Sequence, residues 1–242
     1  MKINVIIPFT YLTGGIKVIF LYANYLSENN YDVVCYVPKI PYRFNFSFVD
    51  YIKNFIKNTF FWKRDSNWNS KNFKLISVPL INDKYIRDAD ITIATAWPTA
   101  NSLNKLSHKK GKKVYFIQAY EVFSGKEKKV NATYTLLLNR IVVTKKLHDL
   151  LKTKFNVEST IIYNGLLSNE FIRKPKPKHL IKNILMLVNT SPNKGYSEGL
   201  KILKTLSLKY DINVTLFGVK AIEDIPDNFI FLEKPPRDIL LE

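Results

Sequence analysis

Three short clusters in this 242-residue chain carry groups suited to handling an anion or a hydrogen-bonding ligand. The first is Thr13-Gly14-Gly15, which follows the apolar run Ile3–Ile7 and precedes a helical pattern. Glycines there let backbone N–H groups approach a negative charge at a helix N-terminus, where the helix dipole favours it. The spacing is not G-x-G-x-x-G, so a dinucleotide is not the expected ligand. A tight turn requiring positive φ would select the same residues, and both readings stand at this point. The second cluster is Ser191-Pro192-Asn193-Lys194-Gly195, behind the apolar run Ile184–Val188. A lysine at the mouth of a helix can stabilise a pyrophosphate leaving group as its charge grows. It can equally be one more solvated lysine in a lysine-rich chain. The third is Gln118-Ala119-Tyr120-Glu121, just past another apolar run. Parallel sheets place their ligands at such strand ends. Glu121 can contact an acceptor or a neighbouring amide there, or be a surface acid in a basic protein.

Other chemistries find no support in the sequence. His108, His148 and His179 have no companions at metal-ligand spacing, so no metal is expected. Cys35 is the only cysteine, which leaves no disulfide framework, and its place in Asp32–Val37 reads as filler in a buried strand. There is no Ser-His-Asp pattern and no P-loop lysine motif.

The elements that must position these clusters alternate along the chain. Apolar runs at Ile3–Ile7, Asp32–Val37, Lys74–Val78, Ala89–Ala94, Lys113–Gln118, Arg140–Val143 and Ser159–Tyr163 read as strands. Between the first two, Ile16, Ile19, Phe20, Ala23 and Leu26 recur at helical spacing. Helices are also expected from Pro98 to His108 and after Thr144, an N-cap ahead of Leu147, Leu150 and Leu151. Strand, glycine turn, helix and strand make a βαβ unit, so residues 1–172 are expected to form an α/β, Rossmann-like domain with a parallel sheet. Arg173–Lys178 opens a basic, proline-spaced linker over 173–180. The alternation then restarts over 181–242, with a strand to Val188, a helix to about Ser207, a strand Ile212–Phe217 before Gly218, and a short strand Phe229–Leu232. This is too little for an independent doubly wound sheet, and it reads as the beginning of a second domain cut short.

Four of these segments, in order, resemble glycosyltransferase family 4. Thr13–Val18 with Leu21–Leu26 is similar to the family's opening loop and helix. Ile141–Thr144, with Leu147 and Leu151, is similar to a late strand and capped helix of its first domain. Ile161–Gly165, with Phe171, resembles the Asn-Gly turn that ends that domain, and Ser191–Gly195 resembles its lysine loop. The stretch Tyr115–Glu121 further resembles a subgroup that includes bacterial rhamnosyl and related polysaccharide transferases. The resemblance implies a GT-B fold of two facing Rossmann-like domains. It implies retaining, metal-independent transfer of a hexose from a nucleoside-diphosphate sugar to a surface-glycan or lipid-linked acceptor, with no cofactor beyond that donor. On this reading Gly14 and Gly15 face the donor diphosphate across the cleft, and Lys194 holds it from the second domain. Gly218 resembles the glycine after that domain's next strand. Gln118 stands where many members have a cleft histidine, so hydrogen bonding to sugar or acceptor replaces an acid–base role. Asn189 stands where many have an arginine. The family's paired glutamates have no counterpart before residue 242, so a chain ending there is expected to bind donor poorly and turn over little. The open alternatives are another GT-B enzyme, such as a nucleotide-sugar epimerase, and a non-catalytic basic module for nucleic acid or anionic membrane.

Composition bounds these readings. With 46% hydrophobic and 14% aromatic residues, the chain can bury a core, and a disordered chain is not expected. A net charge of +17 suits an acidic partner, though lysine-rich usage alone produces it too. No secretory signal or membrane-length apolar run is visible, so a cytoplasmic protein is expected, with peripheral contact to a membrane left open. Aromatic and basic residues interleave from Tyr42 to Phe73. Docking on an anionic membrane and stacking on nucleic acid both fit this pattern. The preferred reading is a helix and loop that pack their aromatics on the sheet, and nucleic acid is not an expected partner.

Overall fold

The computed structural model describes residues 1–11, 13–45, 47–61, 72–165, 182–189, 194–219, 225–236 and 239. The chain forms two compact units, Met1–Gly165 and Leu166–Glu242. The basic linker expected at 173–180 lies outside the described residues.

The first unit is built on seven strands: β1 (Lys2–Ile6), β2 (Asp32–Pro38), β3 (Lys74–Val78), β4 (Ile91–Ala94), β5 (Lys112–Ile117), β6 (Asn139–Val142) and β7 (Thr160–Ile161). They lie in the order β3-β2-β1-β4-β5-β6-β7, and every pairing is parallel. The chain winds outward one way from β1 and then the other way from β4. The gap between these two strands at their carboxyl ends is the topological switch point, where open α/β sheets bind ligands.

Parallel sheets need cover on both faces, and the sequence supplies it by alternation. Val5, Ile7, Val33 and Cys35 pack with α1 (Gly14–Glu28) through Ile16, Ile19, Phe20 and Ala23. Ile6, Val34, Tyr115 and Val142 face the other way, onto α3 (Trp97–Lys105), α4 (Glu127–Tyr134) and α5 (Lys145–Phe155), after α2 (Phe48–Ile56) in chain order. Thr144 caps α5 as the sequence indicates, accepting from the Leu147 amide at 3.2 Å. Helix α4 is absent from the sequence reading because its buried face is short: Val130, Thr133 and Tyr134.

Between β3 and β4 an irregular segment over 79–90 replaces a helix, and polar groups hold it. The Lys110 ammonium, almost fully buried, donates to Asp83 O at 3.0 Å, Ile86 O at 2.6 Å and Asp88 Oδ1 at 2.8 Å. Arg87 reaches Asp32 Oδ2 at 2.6 Å and Asn4 Oδ1 at 3.1 Å, and its hydrogen bond, with its charge second, holds the Asp32 carboxyl below the usual range.

In the second unit β8 (Lys182–Val188), β9 (Ile212–Gly218) and β10 (Phe229–Glu233) form a parallel sheet in the order β10-β9-β8. Helix α6 (Tyr196–Ser207) covers one face through Leu200 and Leu203, over Val188, Val214, Leu216 and Phe229. On the other face Leu185, Leu187 and Ile230 are exposed among the described residues. The molecule is thus α/β, with a Rossmann-like seven-stranded sheet and a second small parallel sheet. Among the described residues no helix is long and apolar enough to cross a membrane.

Lys110→Ala would leave the buried Ile86 carbonyl and the half-buried Asp83 carbonyl without this donor. Urea unfolding should register a loss of about 2–4 kcal/mol; a loss below about 1 kcal/mol would contradict the role given to this ammonium.

Candidate functional site

Two helices begin at the switch point, α1 after β1 and α3 after β4, and their N-termini differ. At α3 the protein supplies its own acceptors. Thr99 Oγ1 accepts from the Thr95 and Ala96 amides, each at 2.9 Å, and its hydroxyl donates to Ala96 O at 2.8 Å. Glu121 Oε2 accepts from the Trp97 amide at 2.7 Å, and Pro98 has no N–H to satisfy. The donors ahead of Thr99 are all taken.

Helix α1 is capped on one side only. Thr13 Oγ1 accepts from the Ile16 amide at 3.2 Å. Among the described residues no acceptor meets the amides of Gly14 and Gly15. Gln118, one residue past β5, donates from Nε2 to Gly15 O at 3.2 Å and so lies against the first turn of α1. Both glycines are helical, and the glycines with positive φ are Gly111 and Gly195. A tight turn is therefore not what selects them. Nor is crowding by the protein: a Cβ on Gly14 would meet nothing within 4 Å, and one on Gly15 would make ordinary contact with Gln118 at 3.5 Å. Glycine within a helix costs about 0.5–1 kcal/mol relative to alanine. What the pair provides is open access to two donors that have no acceptor among the described residues, at the positive end of a helix dipole.

Glu121 shares this edge but serves α3. Besides the Trp97 amide, its Oε2 accepts from the Tyr115 hydroxyl at 3.1 Å, and its own amide donates to the Tyr134 hydroxyl at 3.0 Å. Burial pushes the carboxyl up to about 7, against the smaller lowering effect of those two bonds. Of the roles open to it in the sequence, contact with a neighbouring amide is the one observed, and a free surface acid is not.

Aromatic rings complete the edge. Phe9 stacks on Tyr11 with centroids 3.9 Å apart and meets Phe44 at 6.1 Å; Phe44 in turn meets Trp97 edge-on at 6.1 Å. Burial raises the Tyr11 hydroxyl to about 12, so it stays neutral. The sequence reading did not place these rings together. Their signal was available, since Phe9, Phe44 and Trp97 each follow the carboxyl end of a strand by a few residues.

In the second unit Lys194 is exposed and precedes Gly195, which caps α6 in the left-handed region at φ 64°. Ser191–Asn193 lie outside the described residues. Lys194 and Gly218 belong to the carboxyl edge of the small sheet, as does Asn189 directly after β8. Gly218 also has a packing reason, because a Cβ there would stand 2.9 Å from Val188 O. The structure thus gathers Gly14, Gly15 and Gln118, turns Glu121 onto the start of α3, and puts Lys194 and Gly218 on the second unit's own edge.

Among the described residues no group of three or more His, Cys, Asp or Glu side chains could hold a metal ion. No protein-family model matches the chain, and no curated protein sequence matches it.

The raised carboxyl gives a pH signature. In the folded protein Glu121 keeps its proton up to about 7, above its usual 4.5. Folded protein therefore binds more protons than unfolded protein between these values, and stability falls as pH rises through that window. Glu121→Gln keeps an acceptor for the Trp97 amide and the Tyr115 hydroxyl but cannot ionise. Relative to the variant, wild type should lose roughly 1–3 kcal/mol of unfolding free energy between pH 5 and pH 8. A gap that stays constant over this range would contradict the assignment.

Proposed function

We propose that this protein is a glycosyltransferase of GT-B type that moves a hexose from a nucleoside-diphosphate sugar to a surface-glycan or lipid-linked acceptor. The observation that carries this is the glycine pair opening α1, whose amides lack acceptors among the described residues beside Gln118 at the switch point of a Rossmann-like sheet. In glycosyl transfer the bond from the anomeric carbon to the diphosphate oxygen breaks. A bond to the acceptor oxygen forms, and the acceptor hydroxyl loses its proton. Negative charge grows on the departing diphosphate, and fixed donors stabilise it as it appears. Gly14 and Gly15 are suited to that task through their backbone, and no metal is required of this edge.

Gln118 is a neutral donor and acceptor that fits sugar or acceptor hydroxyls, and it is not assigned proton transfer. Glu121 acts through α3 as a positioning residue. The rings of Phe9, Tyr11, Phe44 and Trp97 give the edge an apolar wall with few polar groups, the usual make-up of a small-molecule site. The edge of the second unit is read the same way, with Lys194 as its cation. Retention of anomeric configuration enters only through the resemblance to family 4.

Calorimetry with a nucleoside diphosphate and the matching nucleoside tests the reading. The chain should bind the diphosphate weakly, but in preference to the nucleoside. Gly14→Val, whose side chain meets no protein atom at its Cβ, should fold normally and bind the diphosphate at least about tenfold more weakly. Equal affinity of variant and wild type, or no preference for the diphosphate, would overturn it. Where turnover is measurable, product analysis with a nucleotide sugar separates transfer from epimerisation at the same kind of site.

A further inference from the structure

Helix α2 is turned inside out relative to an ordinary surface helix. Its protein-facing residues are Tyr51 and Asn54, both half-buried, followed at helical spacing by the buried Asn58. Asn58 Nδ2 donates to Pro38 O at 3.0 Å, and its carbonyl accepts from Ser77 Oγ at 3.2 Å. These bonds fix the segment at the carboxyl ends of β2 and β3, on the sheet edge that also carries the start of α1. Away from the protein, Phe48, Val49, Ile52, Phe55, Ile56 and Phe60 are each between 40% and 76% exposed. Scattered apolar residues on a surface need no explanation, but a stripe of six on one short segment does. It also departs from the sequence expectation, in which these aromatics pack on the sheet.

Charge around the stripe narrows the partner. The one acid on α2, Asp50, is engaged by Ser47, whose hydroxyl donates to Asp50 Oδ2 at 2.7 Å. Lys53 is exposed on the polar side of the helix, and the exposed Arg43 guanidinium lies 5.9 Å from the centre of the Tyr51 ring. The whole chain carries +17. A convex apolar ridge with cationic flanks suits a surface that is soft, apolar within and negatively charged outside, and this describes a bilayer containing anionic lipid. Aromatic side chains such as Phe48 and Phe60 are at home at the boundary between headgroups and acyl chains.

We infer that α2 is an interfacial helix that seats the first unit on an anionic membrane surface. The inference stands on the exposed stripe and its charges alone. Taken with the transferase reading, on which this step rests, it selects a lipid-linked acceptor over a soluble glycan, because docking brings the sheet edge to the headgroups.

Vesicle sedimentation tests it without any transfer assay. The chain is mixed with sucrose-loaded vesicles of phosphatidylcholine alone, or of phosphatidylcholine with about one third phosphatidylglycerol. Wild type should sediment with the anionic vesicles, more weakly as salt is added, and little with the neutral ones. The double variant Ile52→Asp/Phe55→Asp should partition at least about tenfold less while keeping the wild-type circular dichroism and melting midpoint. Phe48→Asp, at the most exposed end of the stripe, gives a second reading should the double variant fold poorly, and Lys53→Glu should weaken anionic binding alone. Equal partitioning of wild type and Phe48→Asp would overturn the inference, as would equal binding to both vesicle types. Self-association that the variants abolish, with no vesicle binding, would instead assign the stripe to a second copy of the chain.

Discussion

Backbone donors at the start of α1 that have no acceptor among the described residues are the constraint around which the first unit's edge is arranged. A folded protein normally finds acceptors for such groups, and α3, a few ångströms of sheet away in strand order, does so in full with Thr99 and Glu121. At α1 the sequence instead places two glycines, which forgo side-chain packing and helix propensity. It caps the helix only through Thr13 and brings Gln118 to a carbonyl rather than to the free amides. The result is a local concentration of positive dipole that no acceptor among the described residues meets.

The rest of the unit keeps that edge in place. β1 is buried on both faces, and β4 packs one face fully and the other in part, so neither can shift without disturbing two cores. Opposite the site, Lys110 and Arg87 replace a missing crossover helix with buried hydrogen bonds and an ion pair. Glu121 is the costlier device. Burying a carboxyl raises its affinity for a proton, and the Trp97 amide and the Tyr115 hydroxyl only partly offset that. Its use at α3 makes the contrast between the two helix ends sharper, since the neighbour that might compete for an anion is already satisfied.

Much of this was legible in the sequence, because periodicity and capping are local. The apolar runs located the strands of the large sheet to within a residue or two, the spacing of Ile16, Ile19, Phe20 and Ala23 fixed the buried face of α1, and Thr144 announced α5. What was not legible depended on partners distant in sequence. Glu121 bonds a residue 24 positions away, and Gln118 reaches across 103. Nothing local distinguishes such carboxylates and amides from solvated ones. Helix α2 failed differently. Its apolar stripe is visible as a pattern, but a pattern does not say whether protein or solvent lies opposite, and here the anchoring falls to Tyr51, Asn54 and Asn58.

The account is tested most directly at the two amides themselves. The chain has eight glycines, so selective ¹⁵N-glycine labelling gives a spectrum of eight backbone signals, assignable by single alanine substitutions. Titration with inorganic pyrophosphate should move the Gly14 and Gly15 signals together and saturably, while Gly111, Gly125 and Gly199 stay in place. Fixed Gly14 and Gly15 signals at millimolar pyrophosphate, or an equal drift of all eight, would contradict an anion site at the start of α1.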